Sequence, residues 1–380
     1  MRVFDSPIGG TGFLGDFAEP GGAGAPAPAA SAPSHGTAVA APAPRPVSGA
    51  SVGSAFVVSA VAEADGSATF RRERNAALVL DDDRATRSFL DRLGAPFAEG
   101  GGNLTVAGEA AVEVARLLRR ELLRPVRDGV LSAEEPDAAR RIEALLARTV
   151  GRTEGAESGV VAYSLPSPAG TDADARLIYH RGIVEAALRR LGHRPVAIGE
   201  GLAVVLSELS DASFTGIGIS FGAGRTSVCL AHRGIEVDAF SIARGGDWVD
   251  RHAATALSVT ETEASALKER GIDLRRPSGP AEATIATLIR NLVGTVVDAI
   301  AERLAAREAR SPLPRQPVAL AVGGGSALAP GFGDVLAAEF GTISDFPFGI
   351  ESVRVAAAPL ETVARGCLVA ASLADEPGRG

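Results

Sequence analysis

Residues 215–250 read TGIGISFGAGRTSVCLAHRGIEVDAFSIARGGDWVD, the order of a strand, a glycine turn, two further strands and a GGD loop. This is the outline of a phosphate-binding β-hairpin. Gly222 and Gly224 carry no side chain to hold a phosphate away from backbone N–H groups, and Thr226 and Ser227 follow with hydroxyl donors. Ser220, Ala223 and Arg225 complete the turn; Gly245, Gly246 and Asp247 form the loop. Most lone glycine turns only make hairpins, so the reading depends on the rest of the chain.

Upstream, Ser51, Gly53, Ser54 and the apolar run 55–61 repeat the order of Ser220, Gly222, Ala223 and the run to Leu230. Two such hairpins imply a duplicated fold. A third cluster, Gly323, Gly324 and Gly325, follows the apolar strand 318–322 and precedes a helix expected from about Pro330, as in a strand-to-helix phosphate or nucleoside turn. The three sites together can surround one nucleotide. On the glycines alone, three unrelated turns in a Gly-rich chain are the alternative.

The chain has 380 residues, 46% of them hydrophobic, enough for two cores when a domain takes roughly 100–200 residues. Its net charge of -8 argues against a broad nucleic-acid-binding surface, and Arg116, Arg119, Arg120 and Arg124 read as a solvated helix face. Cys229 and Cys367 show no CxxC spacing, so neither a disulfide framework nor a zinc site is supported and a reducing compartment is expected. No apolar run reaches the roughly 18 residues of a membrane span, and the N-terminus lacks the apolar core of a signal peptide. The expectation is a cytoplasmic protein.

Residues 1–50 read as a tail. From about Pro20 it is Ala, Pro, Gly and Ser, too poor in large apolar groups to offset the entropy of ordering. Ahead of it, VFDSPIGGTGFLGDF is either an apolar-acidic docking motif for a protein partner or a leader without one. Helical spacing follows over 83–93, after Asn103 (Ala111, Val114, Leu117, Leu118, Leu122), and over 140–150, 178–191, 249–270 and 281–310. A last helix in PLETVARGCLVAASL is expected to return to the first domain.

With LLRPVRDGV (122–130), VVAYSLPSP (160–168), Tyr179 to Glu200, SFGAGRTSV (220–228), LAVGGGSALAPGF (320–332) and PLETVARGCLVA (359–370) in this order, the chain from Ser51 resembles the actin-like ATPase superfamily. Within it the resemblance is to bacterial and archaeal actins of the MreB type. It implies an α/β, duplicated, ribonuclease H-like two-domain fold with a nucleotide cleft between the halves. Residues 51–157 plus 351–380 would form domain I and 158–350 domain II. It also implies ATP or another purine nucleotide as ligand, with Mg²⁺, and self-association into a filament for cell shape or spatial organisation.

Carried over by position, the nucleotide set is Ser51, Gly53, Ser54, Ser220, Gly222, Ala223, Gly224, Arg225, Thr226, Gly245, Gly246, Asp247, Lys268, Glu269, Gly323, Gly324 and Gly325. Lys268, the only lysine, and Glu269 fall where the family places such a pair against ribose and adenine. Glu200 occupies the family's acidic position as a catalytic candidate. Asp174, with Asp172, is a nearby substitute whose alternative role is helix capping. Ser51 and Ser220 stand where the family has metal-holding aspartates, and Tyr179 where MreB-type actins carry a glutamate. Hydroxyls do not replace carboxylates in anchoring Mg²⁺, and tyrosine is a poor base at neutral pH, so metal binding should be weakened and hydrolysis slow or absent. The alternative is a degenerate, non-polymerising adaptor that docks a partner through its N-terminal tail. No amphipathic membrane helix is evident in that tail, which leaves membrane attachment open.

Overall fold

The computed structural model describes residues 47–375 apart from 64, 133, 134, 136, 154–158, 169–174, 310–315 and 345. In chain order it begins with β1 (Val47–Val52), β2 (Phe56–Ala62), β3 (Ala68–Arg74), β4 (Ala77–Asp81), α1 (Arg84–Leu93), β5 (Phe97–Gly100), β6 (Asn103–Ala107) and α2 (Glu109–Leu118). Then come β7 (Val126–Arg127), β8 (Val130–Leu131), α3 (Ala138–Thr149), β9 (Gly159–Leu165), α4 (Ala175–Arg190), β10 (His193–Gly199) and α5 (Glu200–Glu208). The remainder is β11 (Gly216–Phe221), β12 (Thr226–His232), β13 (Ile235–Ile242), α6 (Gly246–Leu257), α7 (Glu261–Glu269), α8 (Pro280–Glu308), β14 (Val318–Gly323), a 3₁₀ turn (Gly325–Leu328), α9 (Phe332–Gly341), β15 (Ile350–Val355) and α10 (Thr362–Asp375).

Two five-stranded sheets carry the duplication. The first runs β3-β2-β1-β9-β10 and the second β13-β12-β11-β14-β15. In each, the first two pairings are antiparallel and the last two parallel. The opening hairpins match as well. Val52 pairs with Val57 and Phe221 with Thr226, so each turn holds four residues, and Ser51 and Ser220 occupy the same place one residue before the closing pair.

This pairing corrects the expected domain limits. The strands Gly159–Leu165 and His193–Gly199 pair with the first sheet, not the second, so the division falls after Gly199 and not at 157/158. Residues 351–355 close the second sheet through β15, and α10 alone returns to the first. Residues 47–50, expected in the N-terminal tail, lie instead in β1, which pairs with β9 from Val47. The segment expected as one helix over 249–270 is two. Ser258 turns left-handed at φ 56°, and Thr260 starts α7 with a capping box to Glu263.

Between the sheets lie α5 and α10, which pack on each other and on strands of both sheets. Strand alternation explains how two helices fit there. On β14, Val318, Leu320 and Val322 point to the outer core under α8, while Ala319 and Ala321 join the central core with Ala203, Val205, Cys229 and Cys367. The small residues face the helices. A Cβ on Gly366 would overlap the carbonyl of Ala203, so α5 and α10 cross at backbone contact. The helix α8 is apolar and long enough by composition to cross a membrane, but Ile285, Ile289, Leu292, Val296 and Ile300 are buried in the second half's core.

Gly366→Val is therefore expected to destabilise the protein by more than about 3 kcal/mol, because the overlapping partner is helix backbone and has no rotamer to change. Urea unfolding measures it; a loss under about 1 kcal/mol would contradict this crossing.

Candidate nucleotide cleft

The two four-residue turns face each other across a cleft of about 350 Å³. Ser51, Gly53 and Ser54 line it from the first half. Ser220, Gly222, Ala223, Gly224 and Arg225 line it from the second, with Gly246, Lys268, Glu269, Gly324, Gly325 and, at the start of α5, Glu200. Four expected residues do not line the cleft. The Thr226 hydroxyl donates to the Arg244 carbonyl at 2.9 Å, Gly245 abuts the carbonyls of Gly222 and Ala223, Gly323 lies against Thr362, and Asp247 pairs with Arg124 at 2.6 Å. Asp172 and Asp174 lie outside the described residues.

The glycines act through close approach. A Cβ on Gly224 would overlap the Gly129 nitrogen and the Ser54 hydroxyl oxygen, so the second turn touches the first half directly. Gly324, at φ 94°, lies against the Phe221 carbonyl beside the second turn. Among the described residues, the N–H groups of Ser54, Ala223 and Gly224 have no acceptor. Such groups at a concave turn suit an anion. The Ser54 hydroxyl is itself fixed by the Gly129 N–H at 3.0 Å.

Arginines join the halves. Arg74 makes two hydrogen bonds to Glu269, at 2.8 and 3.0 Å, and a third to Glu109 at 3.1 Å. Burial pushes the Glu269 carboxyl up, but the hydrogen bonds and charge of Arg74 outweigh it and hold the group below the usual range. Arg119 reaches Glu263 at 3.1 Å, and Arg116 approaches Glu269 at 3.8 Å. Three members of the expected solvated face, Arg116, Arg119 and Arg124, are thus partners of α6 and α7. Composition could not show this, because their carboxylates come from helices more than a hundred residues away.

Lys268 is likewise engaged, donating to the Gly246 carbonyl at 2.9 Å and pairing with buried Asp250 at 2.7 Å. Glu200 is buried and accepts from the Ser227 hydroxyl at 2.7 Å. Burial raises its pKa against that hydrogen bond and the nearby charge of Arg225. The Arg225 guanidinium donates to the Asp128 carbonyl and to the Ser241 hydroxyl, and its stem lies on Gly129. Tyr179 is 41% exposed and does not line the cleft; its neighbour His180 is the buried one.

The sequence reading missed Phe56, Arg72 and Arg74. The alternation of Phe70, Arg72 and Arg74 along β3 puts the two arginines on one face, over the Phe56 ring, and this spacing was the available signal. The donor set fits a phosphate but not a protein-anchored divalent ion. Among the described residues no three His, Cys, Asp or Glu side chains cluster to hold a metal. Of the two carboxylates in the cleft, one is held by Arg74 and the other buried against Ser227.

His180 gives this region a pH dependence. The Leu131 N–H donates to Nδ1 at 3.1 Å, so the ring is neutral with its proton on Nε2. Burial, with the charge of Arg225 added, lowers its pKa to about 4. The unfolded chain binds a proton near the ordinary value of about 6.5, which the folded one resists, so stability falls as pH drops from there toward the folded value. The loss is expected to be on the order of 2–3 kcal/mol. Denaturant unfolding at steps through this window measures it, and His180→Asn should flatten the profile; equal slopes in both proteins would contradict the assignment.

Solved structures share this architecture. The chain is similar to the protein in a MamK double helical filament (17% identity, TM-score 0.63, 88% of this chain and 100% of that one). It is also similar to MreB5 of Spiroplasma citri bound to AMPPNP (15%, 0.59, 86% and 95%) and bound to ADP (15%, 0.57, 85% and 94%). No curated protein sequence matches the chain. The fold is that of the actin-like ATPases. The family model for Volactin matches residues 47–371, which cover both sheets, both turns and most of α10, and the chain belongs to the Volactin family.

Proposed function

We propose that this chain binds ATP or another purine nucleotide in the cleft and assembles with copies of itself into a cytoskeletal filament, with slow or absent hydrolysis. The observation that carries the first part is the pair of equivalent turns, one from each half, that line one cleft with the Ser54, Ala223 and Gly224 N–H groups lacking an acceptor among the described residues. A nucleotide there supplies a chain of anionic oxygens. The turns of 53–56 and 222–225 receive them through Ser54, Ala223 and Gly224. Phe56, Leu328, Ala329 and Leu360 offer apolar wall for the base. Self-assembly is supported by likeness of fold to the MamK filament protein. A cytoplasmic setting remains part of the proposal.

Slow hydrolysis follows from the side chains present. An attacking water needs a base, and the cleft's carboxylates are committed to Arg74 and Ser227. His180 is neutral and buried, with Nδ1 occupied. One observation favours the second reading, a nucleotide-independent adaptor: the halves touch at Gly224 and are bridged by the protein's own Arg74, Arg119, Arg124 and Arg225. A tail partner would act through residues outside the described ones.

Pelleting and negative-stain microscopy with ATP, ADP and no nucleotide separate the two. Nucleotide-dependent filaments are expected, and dispersed particles in every condition would favour the adaptor. Gly224→Val should weaken nucleotide binding at least about tenfold by forcing the turns apart; unchanged affinity would contradict the placement of the phosphates.

A further inference from the structure

Four cationic side chains line the cleft: Arg72, Arg74, Arg225 and Lys268. Three are held by the protein itself, Arg74 by Glu269 and Glu109, Lys268 by Asp250, and Arg225 by the Asp128 carbonyl and the Ser241 hydroxyl. Arg72 differs. It lies directly across from Val58 in the β2–β3 ladder, is exposed, and has no carboxylate partner among the described residues. Its guanidinium stands 5.0 Å from the centre of the ring of Phe56, the last residue of the first turn and two residues past Ser54. Stacking on an aromatic face restrains a long side chain without neutralising it.

The phosphates of a nucleotide carry several negative charges, and something must meet them. A bound Mg²⁺ ordinarily does so through one or two carboxylates, phosphate oxygens and several waters. Here Ser51 and Ser220 supply hydroxyls at the two equivalent places, Glu269 is chelated by Arg74, and Glu200 is buried with its hydrogen bond from Ser227. A guanidinium presents a planar fork of donors that matches a phosphate.

On the nucleotide-binding reading above, we propose that the cleft takes a nucleoside polyphosphate without a protein-anchored divalent cation, the Arg72 guanidinium serving as its counter-ion beside the N–H groups of the two turns. Arg72 sets ligand class: it serves a phosphate chain with or without magnesium on it and gives nothing to an uncharged nucleoside.

Calorimetric titration of the full chain with ADP, ATP and adenosine, in Mg²⁺ and in EDTA, tests this. Affinity for ADP and ATP should agree within about threefold with and without Mg²⁺, and adenosine should bind much more weakly. Arg72→Gln should lose about tenfold in both media while Arg72→Lys recovers part of it, each with an unchanged melting temperature. Ser51→Asp with Ser220→Asp should make binding tighten on adding Mg²⁺. Wild-type binding that requires Mg²⁺, or an Arg72→Gln variant as tight as wild type, would overturn the inference while leaving the nucleotide site standing. No binding by the wild type in either medium would remove the nucleotide reading and this inference with it.

Discussion

Everything in the cleft depends on two helices being pressed between two sheets. The crossing of α5 and α10 at Ala203 and Gly366 sets how closely the halves approach, and the core there is rich in alanine with Cys229 and Cys367 among its valines and leucines. Large side chains on the same strands point the other way, into the outer cores under α8 and under α3 and α4. The hairpin turns are fixed to those strands at the same register. A packing constraint in the middle of the molecule therefore places two phosphate-sized turns opposite each other.

Electrostatics then closes what packing has aligned. Each of Arg74, Arg119 and Arg124 meets a carboxylate on α6 or α7, and the Arg225 stem lies on Gly129. Exposed ion pairs contribute little, but Arg74 and Arg124 are largely buried, and leaving one such charge without its partner is costly. The remaining need in the cleft is a counter-charge for an anion, which Arg72 and the unpaired N–H groups can meet.

Much of this was legible in the chain. The order of glycine turns and apolar strands gave the duplicated sheets, because both turn chemistry and period-two alternation are local. The division between the halves was not, since β9 and β10 look alike whichever sheet they join, and only pairing with β1 decides it. Arg116, Arg119 and Arg124 looked like a solvated face for the same reason. Their partners lie far along the chain, and a run of like charge says nothing about what faces it; only Arg116 of the three lies on α2. Tyr179 and His180 show a one-residue ambiguity of helix facing. The tyrosine stands at the matched position, yet the histidine is the side chain that turns inward.

The most direct test of the cleft is an experimental structure of the protein with ADP, prepared in EDTA. The account predicts the two phosphates between the 53–56 and 222–225 turns, within hydrogen-bonding distance of the Ser54, Ala223 and Gly224 nitrogens and of Arg72, with no metal density. An empty cleft, or phosphates held away from both turns, would contradict it.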